Sequence, residues 1–267
     1  MPDVRPAAVA DMFYPGAPKA LADEVRAHLD RSARKSAPAA ALPKAVIVPH
    51  AGYVYSGAVA ASAYARLAPG RDWIRRVVLL GPTHRVPVRG LAVSPARSFA
   101  TPLGTVAVDR AAVAASLALP QVIASDAAHA LEHSLEVQLP FLQVVLREFA
   151  IVPFAVGDAT PEEVAEVIEL LWGGPETLIV ISSDLSHYHR YADARTIDRT
   201  TADTILGLVP TLGHDEACGA TPINGLLLSA RRHGLRPALL DLRNSGDTAG
   251  DKSRVVGYAS FAFKEDA

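Results

Sequence analysis

The sequence is poor in cysteine and has no long apolar run. Its 267 residues include a single cysteine, Cys218, which excludes an intrachain disulfide framework and favours a reducing, intracellular setting. No apolar stretch approaches the roughly 20 residues that a bilayer-spanning helix needs. The first residues also lack a charged segment followed by an apolar one, so we expect no signal peptide. These absences predict a soluble, cytoplasmic protein.

An excess of charge of one sign is also missing. The formal net charge is −2, so the chain offers no basic footprint for nucleic acid or for an anionic membrane surface. Half of the residues are hydrophobic, which is enough to bury a large core. We find no internal repeat and no long linker, and we therefore expect one domain over residues 1–267.

The hydrophobic pattern predicts an α/β fold. Short β-branched runs alternate with amphipathic stretches rich in Ala and Leu, and residues 36–43 read as a surface connector. Strands are predicted over residues 44–48, 76–80, 90–94, 104–108, 151–156, 178–182, 237–242 and 255–263, with the very apolar strand 178–182 at the centre of the sheet. Helices are predicted over residues 20–34, 57–67, 110–119, 135–149 (with a kink or late start at Pro140), 192–208 and 223–233, and one more begins after a Thr160 cap.

Polar residues concentrate where strand-like runs end. In open α/β sheets, ligands bind in the crevice beyond the carboxyl ends of the strands, so these endings predict one composite site. The alternative is that each of their glycines only makes a tight turn. The segments are Pro49-His50-Ala51-Gly52-Tyr53, Gly81-Pro82-Thr83-His84-Arg85, Ser182-Ser183-Asp184-Leu185-Ser186-His187-Tyr188-His189 and Cys218-Gly219-Ala220-Thr221-Pro222.

Two histidines and the single cysteine could form a metal site. His50 and His84 each follow an apolar run, and Cys218 offers a soft third ligand. Such a set leaves coordination positions open, and the thiolate favours Fe(II), Zn(II) or Cu(I) over Mg or Ca. The alternative is a Cys–His nucleophile pair. It ranks lower, because no predicted helix begins at Cys218-Gly219 to lower the pKa of the thiol.

Further polar side chains suggest acid–base chemistry. Asp184 and His187 stand beside the end of a strand, where a carboxylate could orient an imidazole or raise its basicity. Alternatively, Asp184 caps the next helix and His187 lies on the surface. His133 could donate a hydrogen bond into the site, unless Glu132 and Glu136 only form a solvated acidic first turn.

Together these segments resemble the Memo family, whose bacterial and archaeal members are called AmmeMemoRadiSam system protein B. Each segment alone is unspecific, but the ordered set is specific and runs across most of the chain. The matching stretches are Phe13-Tyr14-Pro15, Pro49-His50-Ala51-Gly52-Tyr53, Gly81-Pro82-Thr83-His84, Glu132-His133-Ser134-Leu135-Glu136, Ser182-Ser183-Asp184, His187, and Cys218-Gly219 with Pro222-Ile223.

The resemblance implies a fold related to the class III extradiol (LigB-like) non-haem iron dioxygenases, with a mixed, largely parallel sheet flanked by helices. It places His50, His84 and Cys218 at the metal-ligand positions, and His187 at the acid–base position with Asp184 in the same pocket. Those enzymes hold iron with two histidines and a carboxylate, whereas the third ligand here is a thiol. Ring cleavage is therefore not carried over, because a thiolate changes the redox behaviour of iron and favours Cu(I).

We therefore expect a mononuclear metal protein, with Fe(II) as the first choice and Cu(I) as the alternative, that oxidises a small polar substrate. His187 would act as the acid–base residue, Asp184 would tune it, and His133 would donate a hydrogen bond. The rival expectation is a non-catalytic Cu(I) or Fe(II) carrier, or an adaptor that works with a radical SAM partner. The family is also described as binding phosphotyrosine peptides in animals, but no arginine cluster near these motifs supports that role.

Overall fold

The computed structural model describes residues 3–35 and 41–265. The strands are β1 (Val4–Arg5), β2 (Ala45–Val48), β3 (Arg76–Pro82), β4 (Leu91–Val93), β5 (Ser98–Thr101), β6 (Gly104–Val108), β7 (Val122–Ala124), β8 (Ala150–Val156), β9 (Thr177–Ser182), β10 (His187–His189), β11 (Arg236–Asn244) and β12 (Val255–Lys264). The α-helices are α1 (Pro18–Lys35), α2 (Tyr53–Tyr64), α3 (Arg110–Ser116), α4 (Asp126–Ala130), α5 (Leu139–Val145), α6 (Pro161–Leu170), α7 (Tyr191–Leu206), α8 (Ala220–Arg232) and α9 (Ser245–Thr248).

All of these strands belong to one mixed sheet. Its main path runs β1-β5-β6-β8-β3-β9-β2-β12-β10, while β11 pairs with β12, and β4 pairs with β7 and β8. The central strands β6, β8, β3, β9 and β2 are parallel, and β12 is antiparallel to each of its partners. The predicted α/β fold with a mixed, largely parallel sheet is confirmed, and β9 lies at its centre as expected.

Burial explains the continuous apolar runs of the central strands. Every residue of β2 and β9 is buried, as is every residue of β3 after Arg76. Helices α1, α2 and α5 pack against one another, as do α6 and α8. Strands that are covered by helices on both faces lose the alternation of apolar and polar residues and become apolar throughout. None of the helices in residues 3–35 and 41–265 is long and apolar enough to span a membrane.

Several helix boundaries differ from the prediction. A 3₁₀ turn, Glu136–Gln138, precedes α5, and Pro140 lies in the first turn of that helix, which is the late start that the proline indicated. Thr160 caps α6 through a complete capping box. Helix α8 begins at Ala220 rather than at residue 223. The first five residues of the predicted connector, 36–40, lie outside the described residues.

Candidate metal centre

The carboxyl ends of three neighbouring strands carry the predicted site. Strands β3, β9 and β2 are adjacent and parallel, so their carboxyl ends share one edge of the sheet. His84, Asp184 and His50 each lie two residues beyond one of these strands. The turn before α8 brings Cys218 to the same place, and its Sγ is 3.3 Å from Nε2 of His50. The predicted composite site is therefore assembled from residues that lie far apart in the sequence.

Hydrogen bonds determine which nitrogen of His50 carries the proton. His50 is 2% exposed, and its Nδ1 lies 2.9 Å from the Ser182 hydroxyl oxygen. That hydroxyl donates its only proton to the Ser134 carbonyl at 2.6 Å, so it must accept from the imidazole and from the Gln138 amide at 2.8 Å. His50 is therefore protonated on Nδ1, and the lone pair of Nε2 faces the cysteine.

The Glu132 carboxylate holds the His84 ring with its proton on Nδ1, as Ser182 does for His50. Oε1 of Glu132 accepts from Nδ1 of His84 at 2.9 Å and from the Ser134 backbone at 2.8 Å, while its Oε2 accepts from the His84 backbone at 2.6 Å. Burial alone would raise the pKa of Glu132, but these hydrogen bonds and the electrostatic interaction with His84 lower it to about 2. The lone pair of Nε2 of His84 is thus free, as in carboxylate–histidine–metal arrangements. The alternative of a solvated Glu132 is wrong, because this side chain is 1% exposed.

His133 completes a group of three imidazoles, which we call the imidazole cluster. One ligand nitrogen each from His50, His84 and His133 lie within 4.8 Å of one another. The His133 ring stacks on His84 and packs at a tilt of 42° against Phe13, each at 4.7 Å between ring centroids. Its buried Nδ1 lies 3.4 Å from Oε1 of Glu132 but forms no hydrogen bond within the described part of the chain. The free lone pairs of His50 and His84, together with the neighbouring His133 imidazole, form a donor set that suits a transition-metal ion.

Cys218 reaches His50 through a tight turn around Ser183. The Asp184 backbone donates to Sγ at 3.3 Å, and the Gly219 backbone donates to the Ser183 hydroxyl at 2.9 Å. A Cβ on Gly219 would lie 2.7 Å from Cβ of Ser183, so the close approach requires glycine. Gly219 is the N-cap of α8, which corrects the expectation that no helix begins beside the cysteine.

The charge states suit metal binding better than thiolate catalysis. Burial, followed by the charge of Asp184, raises the pKa of the Cys218 thiol to about 12, and burial lowers the pKa of His133 to about 4. Burial also lowers the pKa of His50 well below its usual range. At neutral pH without a metal, the thiol is protonated and these two imidazoles are neutral. Neutral imidazoles are the form that binds metals, whereas a nucleophilic cysteine must be a thiolate.

Asp184 forms a hydrogen bond with the backbone of His50 and not with the side chain of His187. Its Oδ1 accepts from the His50 backbone at 2.7 Å, and burial raises its pKa to about 7. Among the described residues, no hydrogen bond joins it to His187, so the predicted tuning of His187 gains no support from the contacts. The alternative role as a helix cap is wrong, because α7 begins after Arg190.

His187 lies on β10, opposite Val256 of β12. Its side chain is half-buried, so it is not the exposed surface residue of the alternative interpretation. Burial lowers the pKa of its imidazole. It lies close enough to His50 and His84 to influence or be influenced by their charge. The imidazole is therefore neutral at neutral pH and able to accept a proton at the edge of the site.

Sequence reasoning missed two residues that hold the site in place. Ser182 was included only as the end of a strand, although it sets the tautomer of His50. Arg5 is 1% exposed, forms an ion pair with Glu136, and donates to the carbonyls of Glu132 at 2.7 Å and His129 at 2.8 Å. It therefore clamps the segment that carries His133, and the alternative of a solvated Glu136 is wrong because Glu136 is fully buried.

Comparisons with known proteins indicate the same family over most of the chain. A "MEMO1 family protein" of Ignicoccus hospitalis is 36% identical over 97% of this chain and 98% of its own length, and one of Aquifex aeolicus is 35% identical over 97% and 99%. An uncharacterized Escherichia coli K12 protein of known structure, JW3007, shares the fold with a TM-score of 0.52 at 13% identity, over 82% of this chain and 99% of its own. The model of the Memo-like protein family matches residues 5–262. The chain therefore belongs to the Memo-like family.

Proposed function

We propose that this protein holds one redox-active metal ion at the carboxyl edge of its sheet and oxidises a small polar substrate there, with dioxygen as the electron acceptor. His50, His84 and Cys218 are the proposed ligands, with Fe(II) as the first choice and Cu(I) as the alternative. The observation that carries the proposal is the convergence of Nε2 of His50, its lone pair free, with the thiol at 3.3 Å and with two further imidazoles. A thiolate in such a donor set selects these metals over Mg or Ca.

Cys218 and His133 are both candidates for the third ligand of this donor set. The resemblance assigns it to Cys218 and leaves His133 as a hydrogen-bond donor, whereas the mutual distances group His133 with the other two imidazoles. His133 belongs to the imidazole cluster, whereas Sγ of Cys218 lies 3.3 Å from Nε2 of His50. Both residues are therefore candidates, and substitution of each one separately distinguishes them.

The surrounding residues would admit the substrate, transfer its proton and hold the metal ligands in position. A bound Fe(II) or Cu(I) would supply one-electron redox chemistry. The His84 side chain is 29% exposed, the most open of the imidazole cluster, so substrate would approach from that side. His187 would accept or return the substrate proton, and Asp184 would hold the His50 backbone in position. Ser182 and Glu132 would keep the protons on the outer nitrogens of His50 and His84.

A non-catalytic carrier or adaptor is the second candidate. A buried thiol beside an imidazole also suits Cu(I) storage. The name of the bacterial and archaeal members, AmmeMemoRadiSam system protein B, suggests a radical SAM partner, which would work with this protein in the cytoplasm. Tight metal binding without substrate turnover would favour this candidate. A metal-free cysteine hydrolase ranks last, because burial raises the pKa of Cys218 to about 12 even though α8 begins beside it.

Elemental analysis of anaerobically purified protein tests the proposal. We expect about one metal ion per chain in the wild type, and its loss in His50→Ala. The single variants Cys218→Ala and His133→Ala should differ, and the one that loses the metal identifies the third ligand. His233→Ala is the matched control, since His233 lies on Trp172 at 3.7 Å between ring centroids, away from the cluster. Unchanged metal content in His50→Ala would overturn the assignment.

A further inference from the structure

A cavity of about 530 Å³ lies between one face of α7 and the end of β11. None of its lining residues belongs to the imidazole cluster. Its helical wall includes Tyr191, Arg195 and Arg199, which are spaced four residues apart and therefore share one side of α7. Leu242 and Arg243 are among the residues that form the opposite wall. The cavity thus presents three guanidinium groups.

Two of these guanidinium groups lack an acidic partner. Among the described residues, neither Arg195 nor Arg199 forms an ion pair, and the Arg195 guanidinium carbon lies 5.8 Å from the Tyr191 ring centroid. Like charges four residues apart on a helix repel each other. An anion between them would remove that repulsion and accept hydrogen bonds from both.

The carboxylates of the wall are not available to these arginines. Asp247 uses both oxygens locally, because it accepts from the Tyr191 hydroxyl at 2.5 Å and from the Asn244 backbone at 3.1 Å. Arg243 is already held by Asp241, which accepts from Nε at 3.0 Å and from a terminal nitrogen.

The second carboxylate of the wall, Asp198, is turned into the protein. It is 2% exposed and accepts from the Ser186 backbone at 3.1 Å. Its oxygens occupy the space beside Gly257, where a Cβ would meet them at 2.1 and 2.4 Å. Only glycine leaves room for this carboxylate, so Asp198 remains directed away from Arg195 and Arg199.

We propose that this cavity binds the oxyanion of a small phosphate ester, with Arg195 and Arg199 as its main ligands. Guanidinium groups match the geometry of phosphate and form strong, charge-assisted hydrogen bonds with it. Ala192 and Leu242 supply apolar wall for the organic part of the ester, and the volume exceeds what a bare phosphate fills. This site shares no lining residue with the imidazole cluster or with Cys218.

Calorimetric titration with inorganic phosphate tests the anion site, and glycerol 3-phosphate tests the ester. Wild-type protein should bind both saturably, and the ester more tightly. The variants Arg195→Gln and Arg199→Gln remove one charge each and should each weaken binding about tenfold. Arg190→Gln is the matched control, because Arg190 is exposed, immediately precedes the same helix and does not line the cavity. It should leave the affinity unchanged.

Competing sources of binding give different results. A phosphate affinity that is equal in the wild type and both arginine variants, but lost in His84→Ala, would place the anion at the metal centre and overturn the proposal. Absence of saturable binding in the wild type up to about 10 mM phosphate would overturn it as well. If glycerol 3-phosphate binds no more tightly than phosphate, the ester assignment is wrong. Circular dichroism of each variant verifies that the fold is retained.

Discussion

Replacement of Glu132 by glutamine should weaken metal binding and also destabilise the fold. The carboxylate accepts three N–H groups, from the His84 ring, the His84 backbone and the Ser134 backbone. An amide of the same shape has one acceptor oxygen, so its NH₂ group must face at least one of these donors. One buried N–H then loses its partner, at a cost of about 1–3 kcal/mol. Loss of the group that orients a ligand imidazole typically lowers metal affinity about 10–100-fold.

The same substitution should change the acid stability of the protein. The pKa of Glu132 is lowered from its ordinary 4.5 to about 2, and a shift of this size corresponds to about 3 kcal/mol of stability at neutral pH. Because the pKa is lower in the folded state, this stability is present above pH 4.5 and is lost as the pH falls toward 2. In Glu132→Gln, the unfolding free energy should therefore fall less steeply across that interval.

Two assays and one control separate these effects. Metal affinity is measured by competition with a chromophoric chelator, and stability by urea unfolding across the acid range. Glu169→Gln is the matched control, because Glu169 accepts from His233 at 2.8 Å in a similar pair away from the cluster. It should leave metal affinity unchanged. Equal metal affinity in the wild type and Glu132→Gln would refute the role of this carboxylate in orienting His84.

Two further substitutions test the supports of the site. Ser182→Ala removes the acceptor of the His50 ring proton, so we expect metal affinity to fall about tenfold in the chelator assay, and an unchanged affinity would contradict the tautomer assignment. Arg5→Met leaves the fully buried Glu136 without its ion-pair partner, so urea unfolding should show a loss of about 3–5 kcal/mol; a loss below about 1 kcal/mol would show that the pair does not clamp this segment.

The positions of His50 and His84 could be predicted because they follow from strand geometry. Apolar runs identify the parallel strands, and parallel strands bring their carboxyl ends to one edge of the sheet. The approach of Cys218 could not be predicted in this way. It depends on a tight turn through Gly219 and on a helix that begins three residues earlier than its apolar pattern indicated, so the residue types suggested Cys218 as a ligand but no local pattern predicted how it reaches His50.

Short elements escaped prediction for a related reason. Strands β1, β7 and β10 have two or three residues each, too few to show a period of two. Their pairing depends on the backbone hydrogen-bonding groups that neighbouring strands present. β1 matters most for the candidate site, because it carries Arg5, which donates hydrogen bonds to the segment that holds His133. A single arginine near a chain end has no local pattern that distinguishes a buried clamp from a solvated surface charge.

The direction of protons at the site follows from the whole network rather than from any single residue. Ser182 could in principle either donate to His50 or accept from it. The Ser134 carbonyl takes the only hydroxyl proton, and the Gln138 amide donates to the remaining hydroxyl lone pair. His50 is thereby left as a donor through Nδ1, and Nε2 faces Cys218 with a free lone pair. Two side chains and one backbone carbonyl, from two segments of the chain, thus leave one nitrogen of His50 free to bind a metal, a property that no motif around His50 encodes.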